Sequence, residues 1–112
     1  MWAGGISEMV KICNLASTYD IPVIAHGHSV PANVHLTLAM PQPVAPIVEY
    51  LVKWNELLQF FWKDPLKPVN GMVSLSDRPG LGIEIDPAKV ETDQDLRWDS
   101  IANMAGSVQE RT

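Results

Sequence analysis

The residues able to do chemistry in this chain are three histidines and one carboxylate placed against apolar runs. His26 and His28 follow directly on Ile21-Pro22-Val23-Ile24-Ala25, and His35 completes a ten-residue span with them. Glu49 lies inside a second apolar run, Ile47-Val48-Glu49-Tyr50-Leu51-Val52. A carboxylate among such neighbours costs several kcal/mol to bury unless it is paired or hydrogen-bonded. An imidazole at the end of an adjacent parallel strand, roughly 5 Å away, is a suitable partner. Three readings are open. His26 can cap its strand through the backbone while Glu49 pairs with a lysine. His26 and His28, with His35 or Glu49, can form a zinc site. Or a histidine carries a proton while Glu49 orients it or donates to a developing oxyanion.

The elements that must position these groups follow from periodicity. Ile6, Met9, Val10, Cys13 and Ala16 recur at the spacing of one helical face, which predicts a helix over 6–17. Cys13 falls on that face as a core thiol. The run 21–25 reads as a short strand buried on both faces, with Pro22 at its start. A helix is expected over 32–40, where Pro31 suits the first turn and Pro41, Pro43 and Pro46 close the end. A second strand is expected over 47–52. Helix, strand, helix, strand is the rhythm of a parallel sheet with crossover helices, so the fold class is α/β. Beyond it, 54–62 is dense in large apolar residues and reads as helix, with Trp54, Phe60, Phe61 and Trp62 in the core or at an interface. Residues 72–76 and 81–85 read as two short β segments around the turn Asp77-Arg78-Pro79-Gly80. From Pro87 the chain turns polar, and a mobile tail or one short helix is expected.

Composition sets the boundaries. The 112 residues have room for one domain. They cannot form a complete (β/α)₈ barrel, which takes about 200–250. Eight basic against thirteen acidic residues give a net charge of −5, which argues against nucleic acid or an anionic membrane as partner. No apolar run approaches the about 18 residues of a membrane span. The opening residues lack the pattern of a signal peptide. A single cysteine fits a reducing cytoplasm. Two strands and their helices cannot close a sheet, so the chain is expected to self-associate or to be a piece of something larger. Exposed strand edges favour pairing with a second copy.

Four motifs occur in order: Trp2-Ala3-Gly4-Gly5-Ile6-Ser7-Glu8, Ile21-Pro22-Val23-Ile24-Ala25-His26-Gly27-His28-Ser29, Ile47-Val48-Glu49-Tyr50-Leu51-Val52 and Pro79-Gly80-Leu81-Gly82-Ile83-Glu84. Together they resemble the carboxyl-terminal third of the mandelate racemase/muconate lactonizing branch of the enolase superfamily, in particular its acid-sugar dehydratases of the rhamnonate or lyxonate type. The resemblance implies a partial (β/α) barrel over 1–90, made of the last two parallel strands and their helices with a carboxyl-terminal extension, followed by a tail over 91–112. It implies a lyase reaction in which a magnesium ion stabilises the enediolate left when the proton α to a carboxylate is removed. His26 matches the seventh-strand histidine that acts as general base or acid. Glu49 matches the eighth-strand carboxyl that hydrogen-bonds the substrate carboxylate. His28 matches no catalytic position. The family's metal-binding carboxylates lie on strands with no counterpart here, and the aspartate that pairs with the histidine falls before Met1. The implication is a cofactor-free fragment that is inactive alone and homo-oligomeric. The alternatives are one subunit of a split dehydratase completed by a separate chain, or a non-catalytic carboxylate-binding module.

Overall fold

The structure, a computed structural model, describes residues 3–93. Trp2 and the tail from 94 onward, with the short helix expected there, lie outside the described residues. Three helices follow in order: α1 (Ile6–Ser17), α2 (Val30–Ala39) and α3 (Val52–Leu58), with a final 3₁₀ turn at Pro87–Lys89. α1 has the bounds its periodicity predicts. Its residues Met9 and Cys13 pack with Leu36 of α2 into a small core, flanked by Val10, Val23, Ala25, Met40 and Val44. Burial pushes the Cys13 thiol pKa up, which keeps it neutral and apolar. α2 begins at Val30 and ends at Ala39, two residues earlier at its start and one at its end than expected. Pro31 occupies the first turn, where no amide donor is required.

The two apolar runs differ from expectation. Residues 21–25 and 47–51 form no regular secondary structure, and among the described residues neither joins a β-ladder. A hydrogen bond from Val23 N to Val44 O, 2.7 Å, ties the first run to the turn ahead of the second. Pro22 and Pro46 each withhold an amide donor from this stretch. A run buried on both faces also needs neighbours on both sides, and Ile24 and Ile47 instead stand 50% and 59% exposed. Val52, expected to end the second strand, starts α3. The Asn55 amide bonds back to Leu51 O at 2.8 Å, closing a helical turn there.

The carboxyl-terminal half is corrected in two further places. α3 stops at Leu58, and the following residues close tighter turns, with Phe60 N on Leu57 O and Trp62 N on Gln59 O. Trp62 then bridges Ile85 in antiparallel sense, supported by Lys63 N on Glu84 O and Asp86 N on Phe61 O. This pairing competes with continuation of the helix. Trp54, Phe60 and Phe61 stay exposed. The segments 72–76 and 81–85 do not pair with each other. Met72 pairs with Val69 across Asn70-Gly71, whose φ values of 51° and 76° are both left-handed, as the tightest hairpin turns require. Among the described residues no helix is long and apolar enough to cross a membrane.

Leu36→Ala removes the α2 side of the core. We expect a loss of about 2–5 kcal/mol in urea unfolding of the full chain. Leu38→Ala, on the exposed side of the same helix, is expected to change stability by less than about 0.5 kcal/mol.

Candidate functional site

The two apolar runs meet at one place. Gly27 lies with its backbone pressed against that of Glu49, so that a Cβ added there would sit 2.7 Å from the Glu49 carbonyl oxygen and 3.1 Å from the Leu51 side chain. Only glycine permits this approach. The Glu49 side chain turns back over the crossing, and its Oε2 atom accepts two hydrogen bonds. One comes from Gly27 N at 2.7 Å, and the other joins it to His26 Nδ1 at 2.6 Å.

The first of these bonds is the main reason the Glu49 pKa lies below the usual carboxylate value, with the His26 contact adding to it against a desolvation cost. An ionised carboxylate only accepts, so His26 Nδ1 carries a hydrogen. In the neutral ring the lone pair is then on Nε2. The imidazole remains solvent-accessible, its side chain 65% exposed. It lines a cavity of about 350 Å³ together with His28, Ile24, Ala25, Met9 and Asn33. The His28 ring stands 4.5 Å from that of His26, tilted by 56°, and 6.3 Å from the Trp54 ring.

Beneath the crossing are two residues that sequence reasoning missed. Asn33 of α2, fully buried, donates from Nδ2 to His26 O at 2.8 Å. Asn55 of α3, 2% exposed, donates from Nδ2 to Gly27 O and to Leu51 O, both at 3.0 Å. Gln59 Nε2 donates in turn to Asn55 Oδ1 at 3.2 Å. The available signal was a polar side chain set among apolar ones, Ala32-Asn33-Val34 and Trp54-Asn55. A buried amide needs partners, so such a residue marks a hydrogen-bonded position.

The structure thus joins His26 to Glu49 and brings His28 beside them. The zinc reading with His35 finds no support, since among the described residues no three of His, Cys, Asp and Glu are grouped to hold a metal. Magnesium fares no better. It takes an octahedral shell of oxygens, whereas this site offers one carboxylate, one of whose oxygens is already committed to two nitrogens.

With this geometry in hand, comparison with known proteins is decisive about lineage. The enolase C-terminal domain-like family model matches residues 1–89. The chain belongs to that family. Enolase C-terminal domain-like proteins are α/β, which agrees with the expected class and leaves its sheet unexpressed in the described residues. Similar curated proteins include an arabinonate dehydratase of Saccharolobus solfataricus, 38% identical over 89 residues. A D-galactarolactone cycloisomerase of Agrobacterium fabrum is 36% identical over 93 residues. A putative L-rhamnonate dehydratase of Caldivirga maquilingensis is 35% identical over 91 residues. These alignments take in 76%, 74% and 76% of this chain, but only 23%, 25% and 22% of the relatives. The chain therefore spans about a quarter of their length. No solved structure matches it significantly.

The Glu49 contact has a pH signature. Because its folded pKa is lowered, Glu49 contributes stability that is complete above the ordinary glutamate value of about 4.3 and is lost as pH falls through the folded pKa. Denaturant unfolding between pH 3 and 6 should show a weaker acid dependence in Glu49→Gln than in the wild type. Gly27→Ala should separate the two backbones and abolish the downfield shift of the residue-27 amide proton, read by NMR.

Proposed function

We propose that this chain supplies the proton-transfer end of a sugar-acid dehydratase site. The observation that carries the reading is the single Glu49 oxygen fixing His26 through Nδ1, because it leaves Nε2 as the basic atom. His26 Nε2 takes the proton from the carbon α to the carboxylate of a bound acid. The C–H electron pair moves toward that carboxylate, and the resulting imidazolium is held by the Glu49 anion. Departure of the β-hydroxyl with a proton, as water, leaves an enol that tautomerises to a 2-keto-3-deoxy acid. Removal of such a proton by a positioned imidazole contributes about 10²–10⁴-fold. In this arrangement Glu49 acts as the orienter of His26. A hydrogen bond from its carboxyl to a substrate carboxylate requires a proton that the Gly27 and His26 contacts disfavour.

Support for the substrate class comes from the relatives named for arabinonate and L-rhamnonate dehydration. The carboxylates that would hold magnesium are assigned to another polypeptide or segment carrying the remaining barrel strands. The chain alone is then inactive. The exposed Ile21, Ile24 and Ile47 favour an apolar partner at the sheet positions, either that polypeptide or a second copy.

The test is turnover of five- and six-carbon sugar acids with magnesium, detecting the 2-keto-3-deoxy product. The chain alone should give none. The chain mixed with a polypeptide carrying the first six barrel strands of a relative should give product, and His26→Asn should reduce it at least about 100-fold. Turnover that survives His26→Asn would sink the assignment of His26. Saturable sugar-acid binding by the chain alone, with no product in any mixture, would favour a non-catalytic module built on the same cavity.

A further inference from the structure

The loop that carries His26 has no β-ladder to hold it. Residues 26–28 run between the apolar segment 21–25 and the start of α2, and the ring that they present is largely exposed. Yet the successive carbonyls of His26 and Gly27 are each bound by an asparagine from a different helix. Asn33 Nδ2 reaches His26 O from α2, and Asn55 Nδ2 reaches Gly27 O from α3. Both side chains are at least nine-tenths buried. Asn55 bonds also to Leu51 O, two residues beyond Glu49, so one amide group spans both sides of the crossing. Its orientation is set by Gln59, whose Nε2 donates to Asn55 Oδ1 and leaves Nδ2 facing the two carbonyls.

From these contacts we infer that Asn33 and Asn55 are positioning residues that clamp the two peptide groups flanking Gly27, Asn33 the His26–Gly27 peptide and Asn55 the Gly27–His28 peptide, and thereby hold the His26 imidazole and the Gly27 amide on Glu49 Oε2. The clamp acts on backbone. Asn55 fixes the carbonyl side of Gly27 while Glu49 takes its amide side, so rotation of that residue breaks one bond or the other. Asn33 holds His26 O, which shares a peptide plane with Gly27 N, and so fixes the orientation in which that amide meets Glu49 Oε2. Asn55 directs both amide hydrogens to carbonyls and Asn33 donates to His26 O, so each acts on the loop through its backbone. Buried hydrogen bonds of this kind hold a site to the tolerance that proton transfer requires. The inference rests on the reading of His26 and Glu49 as a functional pair, and it is testable without turnover.

The test is NMR on the full chain, following the Glu49 carboxyl ¹³C signal, the Gly27 amide proton and the His26 ring nitrogens against pH. His26 and His28 are the titratable groups that act on Glu49, so their own titrations are recorded alongside. Asn55→Ala should raise the Glu49 midpoint toward that of an ordinary glutamate and remove the downfield shift of the Gly27 amide. Asn33→Ala releases the peptide plane that carries the Gly27 amide, so it should weaken the downfield shift of that amide and convert the His26 ring to a mixture of tautomers. Val34→Ala, which trims a buried apolar side chain of α2, serves as the structural control and should lower stability without moving either signal. Unchanged Glu49 and His26 signals in folded Asn55→Ala and Asn33→Ala proteins would overturn the inference. If either variant fails to fold, the wild type decides. The Asn55 side-chain amide protons should be protected from exchange and should shift with the Glu49 titration, and their failure to do so would overturn it equally. Loss of turnover in the assembled system with these signals intact would count against the proposed function and not against the clamp.

Discussion

Everything in this structure that could do chemistry depends on the contact between the Gly27 backbone and Glu49. Two segments without regular secondary structure approach there instead of pairing along their length, closely enough that a single methyl group at residue 27 would collide with the Glu49 carbonyl. The closeness has an electrostatic consequence. It brings an amide hydrogen and an imidazole nitrogen onto one carboxylate oxygen, and both favour the anion over the acid. The charged state of Glu49, the tautomer of His26 and the position of the basic Nε2 atom are therefore one property with three expressions. A crossing only an ångström looser would release all three.

That crossing is held more by polar contacts than by apolar packing. The apolar core around it is small, with Met9, Cys13 and Leu36 at its centre, while many larger side chains remain exposed. Asn33 and Asn55 are among the most deeply buried residues in the described chain. A net hydrogen bond adds only about 0.5–1.5 kcal/mol, whereas a buried polar atom left without a partner costs about 1–3 kcal/mol. The asymmetry makes the amide contacts specific as well as favourable. A loop conformation that strands either asparagine forfeits the larger quantity. Two buried acceptors, Asn33 Oδ1 and Gln59 Oε1, are nevertheless left without a protein hydrogen bond among the described residues. They mark places where the polar scaffold is not saturated by the described residues.

Sequence reasoning reached the helices that carry their own signal and failed where the outcome depends on a neighbour. α1 was legible because five apolar residues at helical spacing suffice to define it. α2 was legible to within two residues because prolines bracket it. The strands at 21–25 and 47–52 were inferred from apolar, β-branched runs, and such runs form ladders only when another strand supplies the complementary hydrogen bonds. Here the chain offers an offset crossing in place of a partner. The Asn70-Gly71 turn was a missed local signal, since two adjacent left-handed residues are what that dipeptide favours. That Glu49 takes a partner was expected from the cost of burying a lone carboxylate, with lysine and histidine both open. Glu49 is instead 41% exposed, and its partners are His26 and the Gly27 amide. The geometry did not follow, because no spacing rule says which oxygen meets which nitrogen. The asparagines escaped notice for a different reason. A single polar residue in an apolar helix says that a hydrogen bond exists, and says nothing of where its partner lies in the chain.

Family membership, shown over residues 1–89, goes together with exposed apolar side chains on the elements around the site. Burying what remains exposed of Ile24, Ile47 and Leu57, each half or more exposed, would add about 1–2 kcal/mol apiece, together a large share of the 5–15 kcal/mol by which a typical domain is stable. Among the described residues, Ile24 and Ile47 stay exposed on the same segments that lead to His26 and carry Glu49, and Leu57 on α3. Under the proposed reading the two facts have one cause. Strands added alongside 21–25 and 47–51 would cover Ile24 and Ile47 and supply the missing ladder bonds. The contact of Glu49 with His26 would remain one that this chain arranges by itself, because the Gly27 amide already holds Oε2 in place from within the same loop.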